Sequence, residues 1–136
     1  MNVTSDHWLL AEFVFSTGVV TFYDSLPTPN PETRPDHLKM RASFEVILPK
    51  YLEKCKVFET KSISVSNYKI SFRVADNVPV QANLYGDCGV WVCIFLYRLS
   101  NNLSMKVDDP LQVALAYREH MVRYFWKYKV ACGKKN

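Results

Sequence analysis

Cys88 stands between Asp87 and Gly89, where a loop running on from Gln81 gives way to the apolar residues 88–99. A helix beginning there aims its unpaired N–H groups and the positive end of its dipole at the sulfur. That setting favours the nucleophilic thiolate. Gln81, seven residues upstream, carries a carboxamide able to donate to an oxyanion, and Asn83 offers a second donor of the same kind. His7 and Asp24 lie far upstream, 17 residues apart. A thiol, an imidazole, a carboxylate to orient it and an oxyanion donor are the groups that acyl transfer through cysteine requires.

These groups need elements to bring them together. Residues 8–15 are apolar and aromatic, Ser16-Thr17-Gly18 signals a turn, and Val19 to Tyr23 are β-branched and aromatic. This pattern predicts a β-hairpin. In an antiparallel pair the start of the first strand lies beside the end of the second, so His7 is expected next to Asp24. Pro27, Pro29, Pro31 and Pro35 mark an intradomain loop. A helix is predicted over 37–54, with Leu38, Ala42, Phe44, Val46, Ile47, Tyr51 and Leu52 on its apolar side and a break or kink at Pro49. Tyr68 to Val74 alternates as a strand, with Ile70, Phe72 and Val74 on one face. Residues 88–99 read as a helix buried all round in the domain centre. A last helix from about Asp109 to Tyr128 is capped by Asp108 or Asp109, with Pro110 in its first turn.

His7-Trp8-Leu9-Leu10, Tyr23-Asp24-Ser25-Leu26, Gln81 and Asp87-Cys88-Gly89-Val90 together resemble the ubiquitin-like-protein proteases, the SUMO/sentrin-specific or Ulp-type cysteine protease family, including its plant-type members. The order His, Asp, Gln, Cys is that family's order, and the resemblance spans about residues 7–100. The Gln81–Cys88 gap is one residue longer than the commonest family spacing. The resemblance implies an α+β, papain-like/adenain-like cysteine peptidase fold, with a mixed sheet packed against a central helix that begins at the nucleophile. It implies a thiol isopeptidase that cleaves after the C-terminal Gly-Gly of a ubiquitin-like modifier such as SUMO. Cys88 is then the nucleophile, His7 the base, Asp24 its orienting partner, Gln81 the oxyanion donor and Trp8 a wall of the channel that grips the substrate tail. No cofactor is implied. The chain is expected to be one peptidase domain over 1–136 that lacks its N-terminal, groove-forming part. It is expected to be a monomer, intracellular, in the nucleus or cytoplasm, whose partner is a ubiquitin-like protein or its conjugates and not a membrane.

Other readings of the same residues stay open. Asp87 serves as an N-cap for the Cys88 helix rather than in catalysis. Cys93 lies inside the apolar helix and reads as core, while His37 and His120 read as solvent-facing. Three His and four Cys without ligand spacing argue against zinc. With 49% hydrophobic residues the 136-residue chain is foldable as one unit, not disordered. Its net charge of +4 is too thinly spread for a nucleic-acid stripe. No signal peptide and no membrane-length apolar run are present, and the cysteines are expected to be reduced thiols. Two rivals remain. One is a catalytically weak or inactive domain that only holds a ubiquitin-like partner. The other is a nucleic-acid-associated domain from a mobile-element gene.

Overall fold

Val19, Val20, Thr21, Phe22 and Tyr23 are β-branched or aromatic, and they form the central strand of a three-stranded mixed sheet. The computed structural model describes residues 2–4, 7–26, 28, 30–82 and 86–128. Strand β3 (Leu10–Val14) pairs antiparallel with β4 (Val19–Tyr23), in a register that sets Leu10 opposite Tyr23. On its other side β4 pairs parallel with β5 (Ser71–Val74), with Val20 opposite Phe72. Before this sheet, β1 (Asn2–Thr4) and β2 (His7–Trp8) form a separate two-stranded antiparallel ribbon. His7 therefore sits on the ribbon and not on the larger sheet. The hairpin itself follows the sequence expectation.

Alternation along β4 gives the sheet two apolar faces. Val20 and Phe22 point to one, where they pack with Leu9 and Met40 and with the half-buried Phe44, Leu48 and Phe72. That face is covered by helix α1 (Pro35–Lys54). Tyr23 belongs to the other cluster, with Trp91, Ile94 and Phe95 of α3 (Cys88–Ser100) and Ala114 of α4 (Pro110–Tyr128). The Tyr23 hydroxyl donates to Glu12 Oε2 at 2.8 Å, and its pKa is pushed up to about 12, first by burial and then by that bond. A short helix, α2 (Val57–Thr60), follows α1 and buries Phe58.

Several local expectations are corrected. α1 runs through Pro49 without ending there. Its buried stripe is His37, Met40 and Leu52, with Phe44 and Leu48 half-buried between them, whereas Leu38, Val46, Ile47 and Tyr51 are exposed. The spacing of three and four residues is helical; Phe44 and Leu52 of the predicted side lie on the stripe, and the other predicted residues do not. α3 is not buried all round: Leu96 and Tyr97 are exposed, and so is Cys93. α4 starts as expected, with Asp109 Oδ1 accepting the Gln112 N–H at 3.1 Å. Among the described residues no helix is long and apolar enough to cross a membrane.

Candidate active site

The segment leaving β4 is Asp24-Ser25-Leu26, and both Asp24 and Ser25 are buried. Asp24 Oδ1 accepts from His7 Nε2 at 2.7 Å and from the Leu26 N–H at 2.9 Å. Its other oxygen, Oδ2, accepts from His37 Nε2 at 2.9 Å and from Arg34 Nη1 at 2.7 Å. Arg34 in turn donates from Nε to Asp36 Oδ1 at 3.0 Å and pairs with the same carboxylate through Nη2. Burial alone would raise the Asp24 pKa. The bonds from His37, His7 and Leu26 outweigh it and hold the carboxyl well below the usual carboxylate range. An ionised carboxylate only accepts, so both imidazoles meet it with Nε2–H. A neutral His7 then keeps Nδ1 as its basic nitrogen.

His7 is buried and its neighbour Trp8 is 46% exposed, as alternation along β2 requires. Leu9 turns back inward and is fully buried. Thus the His7 imidazole is held inside while the indole stands on the surface beside it.

Gln81 is 3% exposed. Its backbone N–H donates to the Ser25 carbonyl at 2.8 Å, and its side-chain Oε1 accepts from the Ser25 hydroxyl at 2.9 Å. Gln81 Nε2 is buried and has no hydrogen-bond partner among the described residues. A buried, unpaired donor of this kind is uncommon and is a candidate for an anion that arrives with substrate. Asn83, the other candidate donor, lies outside the described residues.

Cys88 is the first residue of α3 and is 7% exposed. Trp91, Ile94 and Phe95 anchor this helix in the core. α3 packs against β2, which carries His7. Among the described residues no hydrogen bond joins Cys88 to His7. Asp87 occupies the N-cap position, yet its side chain makes no capping bond. It pairs instead with Arg118 of α4, whose Nε lies 3.1 Å from Oδ1, and Arg118 Nη2 also donates to the Gly86 carbonyl at 2.7 Å. The expected cap is thus a tie between α3 and α4 that fixes the turn before the cysteine.

Two residues of this site escaped the sequence reading. His37 is fully buried, not solvent-facing, and its ring lies 5.3 Å from that of Phe22. Its position three residues before Met40 and seven before Phe44 was the available signal, since those spacings place it on the core stripe of α1. Arg34 sits in the loop before α1, and nothing in its local sequence marks it. Among the described residues no cluster of His, Cys, Asp and Glu is arranged to hold a metal ion. An open cleft of about 400 Å³ lies between α3 and α4, lined by Tyr97, Tyr117, His120, Met121 and Tyr124, and contains none of the candidate residues.

Comparison with solved structures identifies this arrangement of strands and helices. The SUMO protease Ulp1 with its catalytic cysteine oxidised to a sulfenic acid matches at a TM-score of 0.62 and 20% identity, covering 96% of this chain and 52% of its own. The C-terminal Ulp1 protease domain in complex with Smt3, the yeast orthologue of SUMO, matches at a TM-score of 0.55 and 23% identity, covering 87% of this chain and 46% of its own. The sulfonic-acid form of Ulp1 matches at 0.55 and 24%, with the same coverage. The chain therefore spans about half the length of the solved structures it matches, and it has their α+β fold. No curated protein matches it. Residues 1–135 match the Ulp1 protease family, C-terminal catalytic domain, and the chain belongs to this family of cysteine proteases.

Proposed function

We propose that this chain is a thiol protease and isopeptidase acting after the C-terminal Gly-Gly of a ubiquitin-like modifier of the SUMO type. The observation that carries the reading is the buried 2.7 Å bond from His7 Nε2 to Asp24, on a strand packed against the helix that Cys88 begins. Asp24 fixes the tautomer, so Nδ1 of His7 takes the Cys88 proton. The sulfur attacks the carbonyl after the second glycine. The oxyanion accepts from the free Nε2–H of Gln81 and from the backbone N–H of Cys88, one of the unpaired donors of a helix start. The imidazolium then returns its proton to the leaving amine, and a thioester remains. Water, deprotonated by His7, hydrolyses it and frees the thiol. Trp8, exposed beside the base, forms a wall for the glycine tail, which has no side chains to obstruct a narrow channel. That Ulp1 is solved in complex with Smt3 supports a SUMO-type partner.

The test is incubation of residues 1–136 with a SUMO protein bearing an electrophilic vinyl sulfone at its C-terminus. A covalent adduct at Cys88 is expected, lost in Cys88→Ala and strongly slowed in His7→Ala. Adduct formation at Cys55 or Cys93 instead, or none with a ubiquitin-like probe of any kind, contradicts the reading.

A further inference from the structure

Resting on the reading of Gln81 as oxyanion donor, we infer that Ser25 is a positioning residue that sets which end of the Gln81 carboxamide faces the reacting carbonyl. A glutamine amide can turn over and exchange its oxygen for its nitrogen. With the oxygen inward it would repel the oxyanion; with the nitrogen inward it donates. Ser25 decides between the two. Ser25 is 1% exposed, and among the described residues its hydroxyl hydrogen has one acceptor, Gln81 Oε1 at 2.9 Å. Turned over, the amide would leave that hydroxyl hydrogen buried without an acceptor, which is costly. The backbone bond from Gln81 N–H to the Ser25 carbonyl at 2.8 Å holds the two residues at the distance the side-chain bond needs. The consequence is a buried Nε2 that has no partner among the described residues. A donor left unpaired at rest and paired only when charge develops acts on the transition state and not on substrate binding.

Asp24 and Ser25 are consecutive in the segment that leaves β4. The first holds the base and the second holds the oxyanion donor, so the exit of β4 sets both halves of the machinery.

The test uses the whole chain, labelled with 15N, and a SUMO protein carrying a C-terminal coumarin amide. In the free protein the Gln81 side-chain amide signals are assigned by their loss in Gln81→Ala. In Ser25→Ala they are expected to shift and to exchange faster with water, while the backbone spectrum stays that of a folded protein. Turnover by Ser25→Ala is expected to fall about 5–10-fold in kcat with KM unchanged, against about 10²–10³-fold for Gln81→Ala. The double variant should be no slower than Gln81→Ala alone. Unchanged Gln81 amide signals in Ser25→Ala overturn the inference whatever the turnover. Penalties that add in full in the double variant overturn it too, because Ser25 would then act elsewhere. Wild-type turnover by Gln81→Ala strikes the oxyanion reading itself, an outcome distinct from failure of the Ser25 contact alone.

Discussion

At the residue scale the site is organised by one carboxylate that serves four donors, and this gives Asp24 a structural role besides the one proposed for it in catalysis. A sequence reading that gives Asp24 only His7 to orient expects Asp24→Asn to slow catalysis and spare the fold. The structure changes that expectation, because His37 and Arg34 also bond to it. Asp24→Asn leaves the Arg34 cation paired with Asp36 alone and deprives buried His37 of its charged partner. We expect a loss of about 3 kcal/mol or more in denaturant unfolding, beside a slower reaction at Cys88. The pH dependence follows from the same bonds. The folded-state pKa of Asp24 lies below its unfolded value, so the stabilisation is present above that value and is lost as pH falls through and below about 3.9. Wild type should therefore lose stability more steeply than Asp24→Asn between about pH 4 and lower values; parallel curves would show that the carboxylate contributes nothing. His7 and Asp24 were legible in the sequence because a hairpin fixes which ends meet. Arg34 was not, because a long loop puts no such constraint on what folds back.

At the element scale, α3 and the turns at each end of β4 decide where the chemistry sits. Cys88 is buried at a helix start, while Cys55 and Cys93 are exposed. Accessibility alone favours the latter two, and activation by helix N–H groups and His7 favours Cys88. Limited iodoacetamide labelling at mildly acidic pH, read by peptide mass spectrometry, should modify Cys88 ahead of both; equal or reversed labelling removes the activation argument. At the other end of β4, Gly18 has φ +72°, and a Cβ there would lie 2.2 Å from the Lys69 carbonyl oxygen. The Gly18 carbonyl accepts the Ser71 N–H at 3.0 Å, so this turn also starts the β4–β5 pairing. Gly18→Ala combines a left-handed backbone with a backbone clash and should cost about 2 kcal/mol or more, seen as a lower thermal midpoint. The turn was readable from Ser-Thr-Gly, since only glycine takes that conformation without strain. The orientation of α1 was less so. Its apolar residues cover more than one side, and sequence spacing alone does not say which side meets the sheet.

At the scale of the whole molecule, chemistry and substrate clamping separate. The residues proposed for proton transfer, oxyanion binding and nucleophilic attack all sit within a chain that spans about half the length of the solved proteases it matches. Large apolar side chains stand exposed on α1 and on α4, Trp126 at 86%. Fold class was legible because paired strands and buried helices impose their own periodicities, whereas the pairing of one face with another is a property of the assembled molecule. The same division applies to catalysis. Labelling of Cys88 by a reactive SUMO probe needs only an activated thiol and a loosely bound tail. Hydrolysis needs the tail held so that its carbonyl meets sulfur and both oxyanion donors together, and such orientation contributes roughly 7–11 kcal/mol of barrier lowering. Among the described residues Trp8 is the exposed aromatic adjoining the base, and one wall does not make a channel. We therefore expect residues 1–136 to form the covalent adduct while releasing the fluorophore from a SUMO–coumarin conjugate slowly. The measurement is the ratio of the two rates in one preparation. Rapid turnover by this chain would overturn the expectation, and would mean that Trp8 with residues 9–15 and the loop before α1 already closes around the glycine tail.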